Sequence, residues 1–209
     1  FIQASDMPYD MGLTYRDGAP VMYDTGDYPE AQAQALSKAG YGDFPARQKA
    51  ALAEGRHIGI GIGNYVEGTG LGPFEGATLR ILTNGRVAIY TGAAAAGQAH
   101  RTTLAQICAD ELNIDVTDID VVGGDTGLMP RGAGTYASRV TVNAGSSVRI
   151  ASVELRGKAL ALAAAKFDVK PEDVELTHGA VRIKGEQGDS VTFEELAKMT
   201  SGMPGYALP

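Results

Sequence analysis

Residues 87–112 read VAIYTGAAAAGQAHRTTLAQICADEL, and this run decides the fold. Val87–Thr91 reads as an apolar strand. Thr102–Leu112 reads as a helix, with Leu104, Ile107, Cys108 and Leu112 on one stripe. Between them, Gly92 to Gly97 carries no side chain larger than a methyl group. A strand, a glycine-rich turn and a helix start together offer free backbone N–H groups and the positive end of a helix dipole to an anion. The spacing Gly92-x4-Gly97 copies the outline of a phosphate-binding P-loop. That motif then needs Lys and Ser/Thr, and here Gln98 and Ala99 stand in those places. A neutral amide does not replace an ammonium, and alanine gives Mg²⁺ no oxygen, which argues against an NTPase. Taken alone, the turn is equally consistent with ordinary helix capping.

Downstream, a second segment has the same design. A loop from Gly123 to Ser138 is long for a compact domain, and such loops are usually functional or disordered. It contains Gly124, Gly127, Gly132 and Gly134 and runs into a helix expected over Val142–Phe167, whose first half is built of small residues. Thr135, Ser138 and nearby amides could hold a second polar or anionic part of a ligand. Arg139 could pair with a phosphate bidentately, the plainer alternative being a surface ion pair. Tyr136 has a core anchor as its plainer reading. Together the two loops suggest one extended anionic ligand clamped at two points.

The remaining elements surround these loops. Thr78–Leu82 and Val87–Thr91 flank the hairpin signal Asn84-Gly85, and Asp118–Val122 alternates as a strand. Val174–Thr177 and Ala180–Ile183 flank His178-Gly179, and Thr192 with Glu195 opens a last helix. Upstream, residues 1–26 read as irregular. Asp27, Pro29 and Glu30 start a helix that ends at Gly40, and a second runs from Pro45 to Glu54. The stretch HIGIGIGNYVE, 57–67, predicts a strand with one apolar and one bare face. The expected organisation is an irregular N-terminal segment with two short helices (1–55), an α/β domain portion (56–201) and a tail (202–209). The fold class is α/β in the mixed sense: a mixed sheet with hairpins, packed helices and glycine-rich loops, not a doubly wound parallel sheet.

Composition narrows the function. The net charge of −7 argues against a nucleic-acid surface. No apolar run is long enough for a membrane span. One cysteine, Cys108, forms no internal disulfide and fits a reducing, cytoplasmic setting; its place on the helix stripe reads as a buried, inert thiol. His57, His100 and His178 lie far apart, without zinc-ligand spacing. Glu67 and Glu75, which flank Gly-Thr-Gly-Leu-Gly-Pro, could form a carboxylate pair, but solvated turn residues are the better reading. The start at Phe1 and the Gly/Pro-rich end suggest a piece of a longer polypeptide.

Three ordered motifs carry a family resemblance: YVEGTGLGPFEGATLRI, TGAAAAGQAHRTTLAQICADELNI and VVGGDTGLMPRGAGTYASRVTVNAGSSV. They resemble the large, molybdopterin-binding subunit of the molybdenum hydroxylases, the group of xanthine dehydrogenase, aldehyde oxidase and aerobic carbon monoxide dehydrogenase. The resemblance implies that Gly97, Gln98, Ala99 and Thr102 contact the pterin. The family pattern has glycine where Ala99 stands. It implies that Gly134, Thr135, Tyr136, Ala137, Ser138 and Arg139 form a second cofactor loop. The implied cofactor is molybdopterin, plain or as the cytosine dinucleotide, with molybdenum held by its sulfurs and by no protein ligand. The implied chemistry is hydroxylation of an electron-poor carbon with water-derived oxygen. Electrons pass to iron–sulfur and FAD partners, and the catalytic glutamate lies outside this chain. A chain of this length is expected to be inactive alone. The alternative is a non-catalytic assembly module that has kept the fold and lost the cofactor.

Overall fold

A computed structural model describes residues 1–15, 18–186 and 188–202. The chain divides into two compact units, 1–66 and 67–209, so residues 56–66 fall in the first.

The first unit opens with an antiparallel hairpin of β1 (Tyr9–Thr14) and β2 (Pro20–Tyr23), with Tyr9 opposite Tyr23. A paired hairpin thus stands where irregular structure is expected over 1–26. Tyr9, Met11 and Leu13 do alternate, but Pro8, Gly12 and Pro20 punctuate the run and hide the period. Two helices follow as expected, α1 (Tyr28–Lys38) and α2 (Phe44–Ala53). The Asp27 carboxylate caps α1 by accepting the Glu30 N–H at 3.0 Å. The strand expected at 57–67 is not found. The segment is unpaired among the described residues, Ile62 is 49% exposed, and a Cβ built on Gly59, Gly61 or Gly63 would meet nothing within 4 Å. Alternation in sequence names the faces of a strand; it does not supply the neighbour whose hydrogen bonds make one. Ala51 is the only buried residue described in this unit.

The second unit holds the core. β3 (Ala77–Ile81) and β4 (Val87–Thr91) form an antiparallel hairpin, Leu79 opposite Ile89. α3 (His100–Leu112) then carries the chain across to β5 (Ile119–Gly123), which pairs parallel to β4 with Ile89 opposite Val121. The sheet is therefore mixed, in the order β3-β4-β5. Asn113 ends α3 in the left-handed conformation, as its position suggested. A π-helical turn at Val140–Ala144 leads into α4 (Gly145–Phe167), so the helix begins before Val142. A second sheet of β6 (Val174–Thr177), β7 (Ala180–Ile183) and β8 (Ser190–Thr192) is antiparallel. It is followed by α5 (Phe193–Thr200), capped reciprocally by Thr192 and Glu195. The short β8 was not foreseen. One continuous cluster joins both sheets and the helices: Val87 and Ile89 of β4, Leu104, Cys108 and Leu112 of α3, Val148 and Ala163 of α4, Val181 of β7 and Phe193 of α5. Burial raises the Cys108 thiol pKa, which keeps it protonated and inert. The tail, past Gly202, lies outside the described residues. No helix among the described residues is long and apolar enough to cross a membrane.

Candidate functional site

Both glycine-rich loops leave the carboxyl ends of neighbouring parallel strands, β4 and β5, so the sheet brings them together. Gly92 and Gly132 are where they cross. A Cβ on Gly92 would stand 2.0 Å from the Arg131 carbonyl oxygen, and one on Gly132 would stand 2.4 Å from the Gly92 carbonyl oxygen. Only glycine allows backbones that close. A Cβ on Gly123 would likewise meet the Ala93 carbonyl oxygen at 2.5 Å. The Thr135 hydroxyl fastens the loops by donating to the Ala94 carbonyl at 2.5 Å.

The first loop is exposed from Ala94 to Ala99. Gln98 Oε1 accepts the Ala96 N–H at 2.7 Å, which leaves the Gln98 NH₂ group to donate elsewhere. Gly97 has φ +105, and a Cβ there would meet nothing within 4 Å. Ala99 precedes α3 at φ +58, ψ +36. The N–H groups of Gly97, Gln98 and Ala99 have no partner among the described residues. The first amides of α3 join them. Thr102 is exposed on the first turn of the helix. His100 is buried, with Nδ1 unpartnered.

The second loop repeats the step. Ala137 and Ser138 take φ +49 and +48, and Arg139 returns to φ −94, ψ −23. A left-handed residue followed by a right-handed one turns successive N–H groups to the same side and forms an anion-binding hollow. The amides of Tyr136, Ala137 and Ser138 have no partner among the described residues. Tyr136 is exposed rather than a core anchor.

Arg139 is the largest surprise. The sequence suggested a phosphate clamp or a surface ion pair, and its side chain is neither. It is completely buried and bonded to Glu75, Nη1 to Oε1 at 2.6 Å. Nη1 also donates to the Gly134 carbonyl at 2.8 Å, Nε to that of Leu71 at 3.2 Å, and Nη2 to that of Pro73. Glu75, expected as a solvated turn residue, is 2% exposed and also accepts the Ala133 N–H at 2.9 Å. No local signal pairs two residues 64 positions apart.

The chemical character of the site follows from these donors. It offers backbone N–H groups, hydroxyls, one side-chain amide and a helix N-terminus, and no cluster of carboxylates. That set fits an anionic organic group with ring acceptors and phosphate oxygens. Among the described residues no three His, Cys, Asp or Glu side chains gather as a metal site. A metal carried by its own organic ligand fits such a donor set, since the protein then binds the ligand and not the ion.

The structure thus defines an α/β domain with two crossed glycine loops, each running into a helix. The family described as molybdopterin cofactor-binding domain matches residues 34–206, and the chain belongs to it. It is 38% identical to the 6-hydroxypseudooxynicotine dehydrogenase complex subunit gamma of Paenarthrobacter nicotinovorans, over 92% of this chain and 24% of that one. It is 36% identical to the carbon monoxide dehydrogenase large chain of Afipia carboxidovorans, over 98% of this chain and 27% of that one. Quinoline 2-oxidoreductase from Pseudomonas putida 86 superposes with a TM-score of 0.68 at 29% identity, covering 99% of this chain and 28% of its own. The chain therefore spans about a quarter of the length of these relatives.

Proposed function

We propose that the two crossed loops hold molybdopterin, and that this chain is the cofactor-binding portion of a molybdenum hydroxylase large subunit. The observation that carries the reading is the pair of left-handed steps, at Ala99 and at Ala137–Ser138. Each leaves unpaired amides, in loops that touch through Thr135 and Ala94. When bound, that group supplies a redox-active molybdenum on a dithiolene. The chain's own residues bind and orient it. The free Gln98 NH₂ donates to a ring acceptor, and the Gly97–Ala99 amides with the α3 N-terminus take an anionic end. The Tyr136–Ser138 amides take another, such as a phosphate of the cytosine dinucleotide form. The side-chain-poor run Gly92–Gly97 lets the group approach the backbone.

The whole protein is then a cytoplasmic oxidoreductase that hydroxylates an electron-poor carbon with water-derived oxygen, working with iron–sulfur and FAD partners. Support comes from the dehydrogenases and oxidoreductases it matches, which are named for carbon monoxide, 6-hydroxypseudooxynicotine and quinoline. A non-catalytic module would rest on Ala99 standing where the family pattern has glycine. Ala99 nonetheless takes the left-handed conformation that glycine would take, so the turn survives the substitution. The test is Gln98→Ala in the intact enzyme. Molybdenum content falls on this reading, and unchanged content and turnover contradict it. Metal and pterin analysis of the complete complex separates the alternative, since a degenerate module carries neither.

A further inference from the structure

Two adjacent non-glycine residues with φ near +48 are costly for L-amino acids, and such a pair persists only where its surroundings leave it no alternative. Ala137 and Ser138 are such a pair. The next residue, Arg139, is the most firmly bound side chain of the region: four of its N–H groups are taken by Glu75, Gly134, Leu71 and Pro73. The Ser138 carbonyl is held as well, by the Gly70 N–H at 3.2 Å. Glu75 is anchored in turn, because its carbonyl accepts from the Ser147 hydroxyl of α4 at 2.6 Å. Apart from the bond to Gly134, which lies within the loop, these bonds tie the segment before β3 to the loop or to the helix behind it. None leaves the guanidinium a way to reach a ligand, since Arg139 and Glu75 are both buried.

We propose that Glu75 and Arg139 are a positioning pair: their buried ion pair fixes the Ala137–Ser138 step in its left-handed form and so keeps the Tyr136–Ser138 amides open for the anionic end of the cofactor, without touching it. This rests on the cofactor reading above and goes beyond it, by replacing a direct phosphate contact from Arg139 with an indirect one. A carbonyl-lined pocket suits a planar fork with five donors, and a lysine cannot occupy it equivalently.

The test uses the intact large subunit, with molybdenum and pterin per subunit as the first reading and tryptic cleavage after Arg139 as the second. Glu75→Gln keeps the shape and removes the charge. It is expected to lose molybdenum at least fivefold and to expose the Arg139 bond to trypsin, which the native burial protects. Adding Ala137→Gly restores at least half of the lost molybdenum, because glycine takes φ +49 without penalty. A purely structural loss would not be recovered by loosening the loop further. Ala137→Val leaves the ion pair intact but opposes the left-handed step with a β-branched side chain. It loses molybdenum equally, with a fall in melting smaller than that of Glu75→Ala because no charge is left unpaired, and it decides the matter alone if Glu75→Gln does not accumulate. Gln98→Ala serves as the control. If it loses molybdenum while Glu75→Gln and Ala137→Val retain it, the positioning role is wrong. If all three retain it, the cofactor reading fails and takes the positioning role with it.

Discussion

The loops at 92–99 and 132–139 make the same backbone move and are held in opposite ways. The first is exposed from Ala94 onward, takes a single left-handed residue other than glycine, at Ala99, and is clasped by one amide, Gln98 Oε1 to the Ala96 N–H. The second takes two left-handed residues in succession and is bolted from beneath by a wholly buried ion pair. The difference is one of cost. A lone left-handed residue ahead of a helix costs about 1–2 kcal/mol, which a 13-residue helix packed on the core readily offsets. Two in a row at the start of α4 need a support that solvent cannot compete with. The second loop should therefore be fragile in its foundations and the first fragile only at its surface.

Predictions ordered by size probe that contrast. Glu75→Ala strands a buried guanidinium, and a loss of about 3–5 kcal/mol is expected in urea unfolding, because breaking one side of a buried pair leaves an uncompensated charge. Gly92→Ala drives a methyl group into the Arg131 carbonyl, so both loops must part. Overpacking of this kind costs about 1–3 kcal/mol, and the same unfolding experiment checks it. Thr135→Val removes the hydroxyl that ties the loops together. About 1 kcal/mol is expected from one lost hydrogen bond, with a further drop when it is combined with Gly92→Ala less than the sum, since both act at one crossing. Ala99→Gly has the opposite sign. It relieves the left-handed strain at the first loop and raises stability by at most about 1 kcal/mol, the greater freedom of glycine in the unfolded chain offsetting part of the gain. Equal losses from Glu75→Ala and Gln98→Ala would erase the contrast.

What the sequence made legible follows the same line. The turn at 91–102 is readable because everything it needs is local: a period of two gives way to one of 3.6 across a run of glycine and alanine. The hairpin at Asn84-Gly85 and the caps at Asp27 and Thr192 are local signals too. Glu75 and Arg139 are not readable, because the reason for each lies 64 residues away in the other. Residues 57–67 mislead for a related cause. Their isoleucines alternate as a strand's do, yet the segment pairs with no other strand among the described residues, and a strand is a property of two segments. The hairpin at 9–23 errs the other way, with its pairing present and its pattern broken by proline and glycine.

Hydrogen–deuterium exchange on the intact large subunit, with and without its pterin cofactor, bears most directly on the idea that both loops grip one anionic group. Amides 97–101 and 136–138 should slow together when the cofactor is present, while those of β6 and β7 stay unchanged. Protection of one loop without the other, or of neither, would contradict a shared grip.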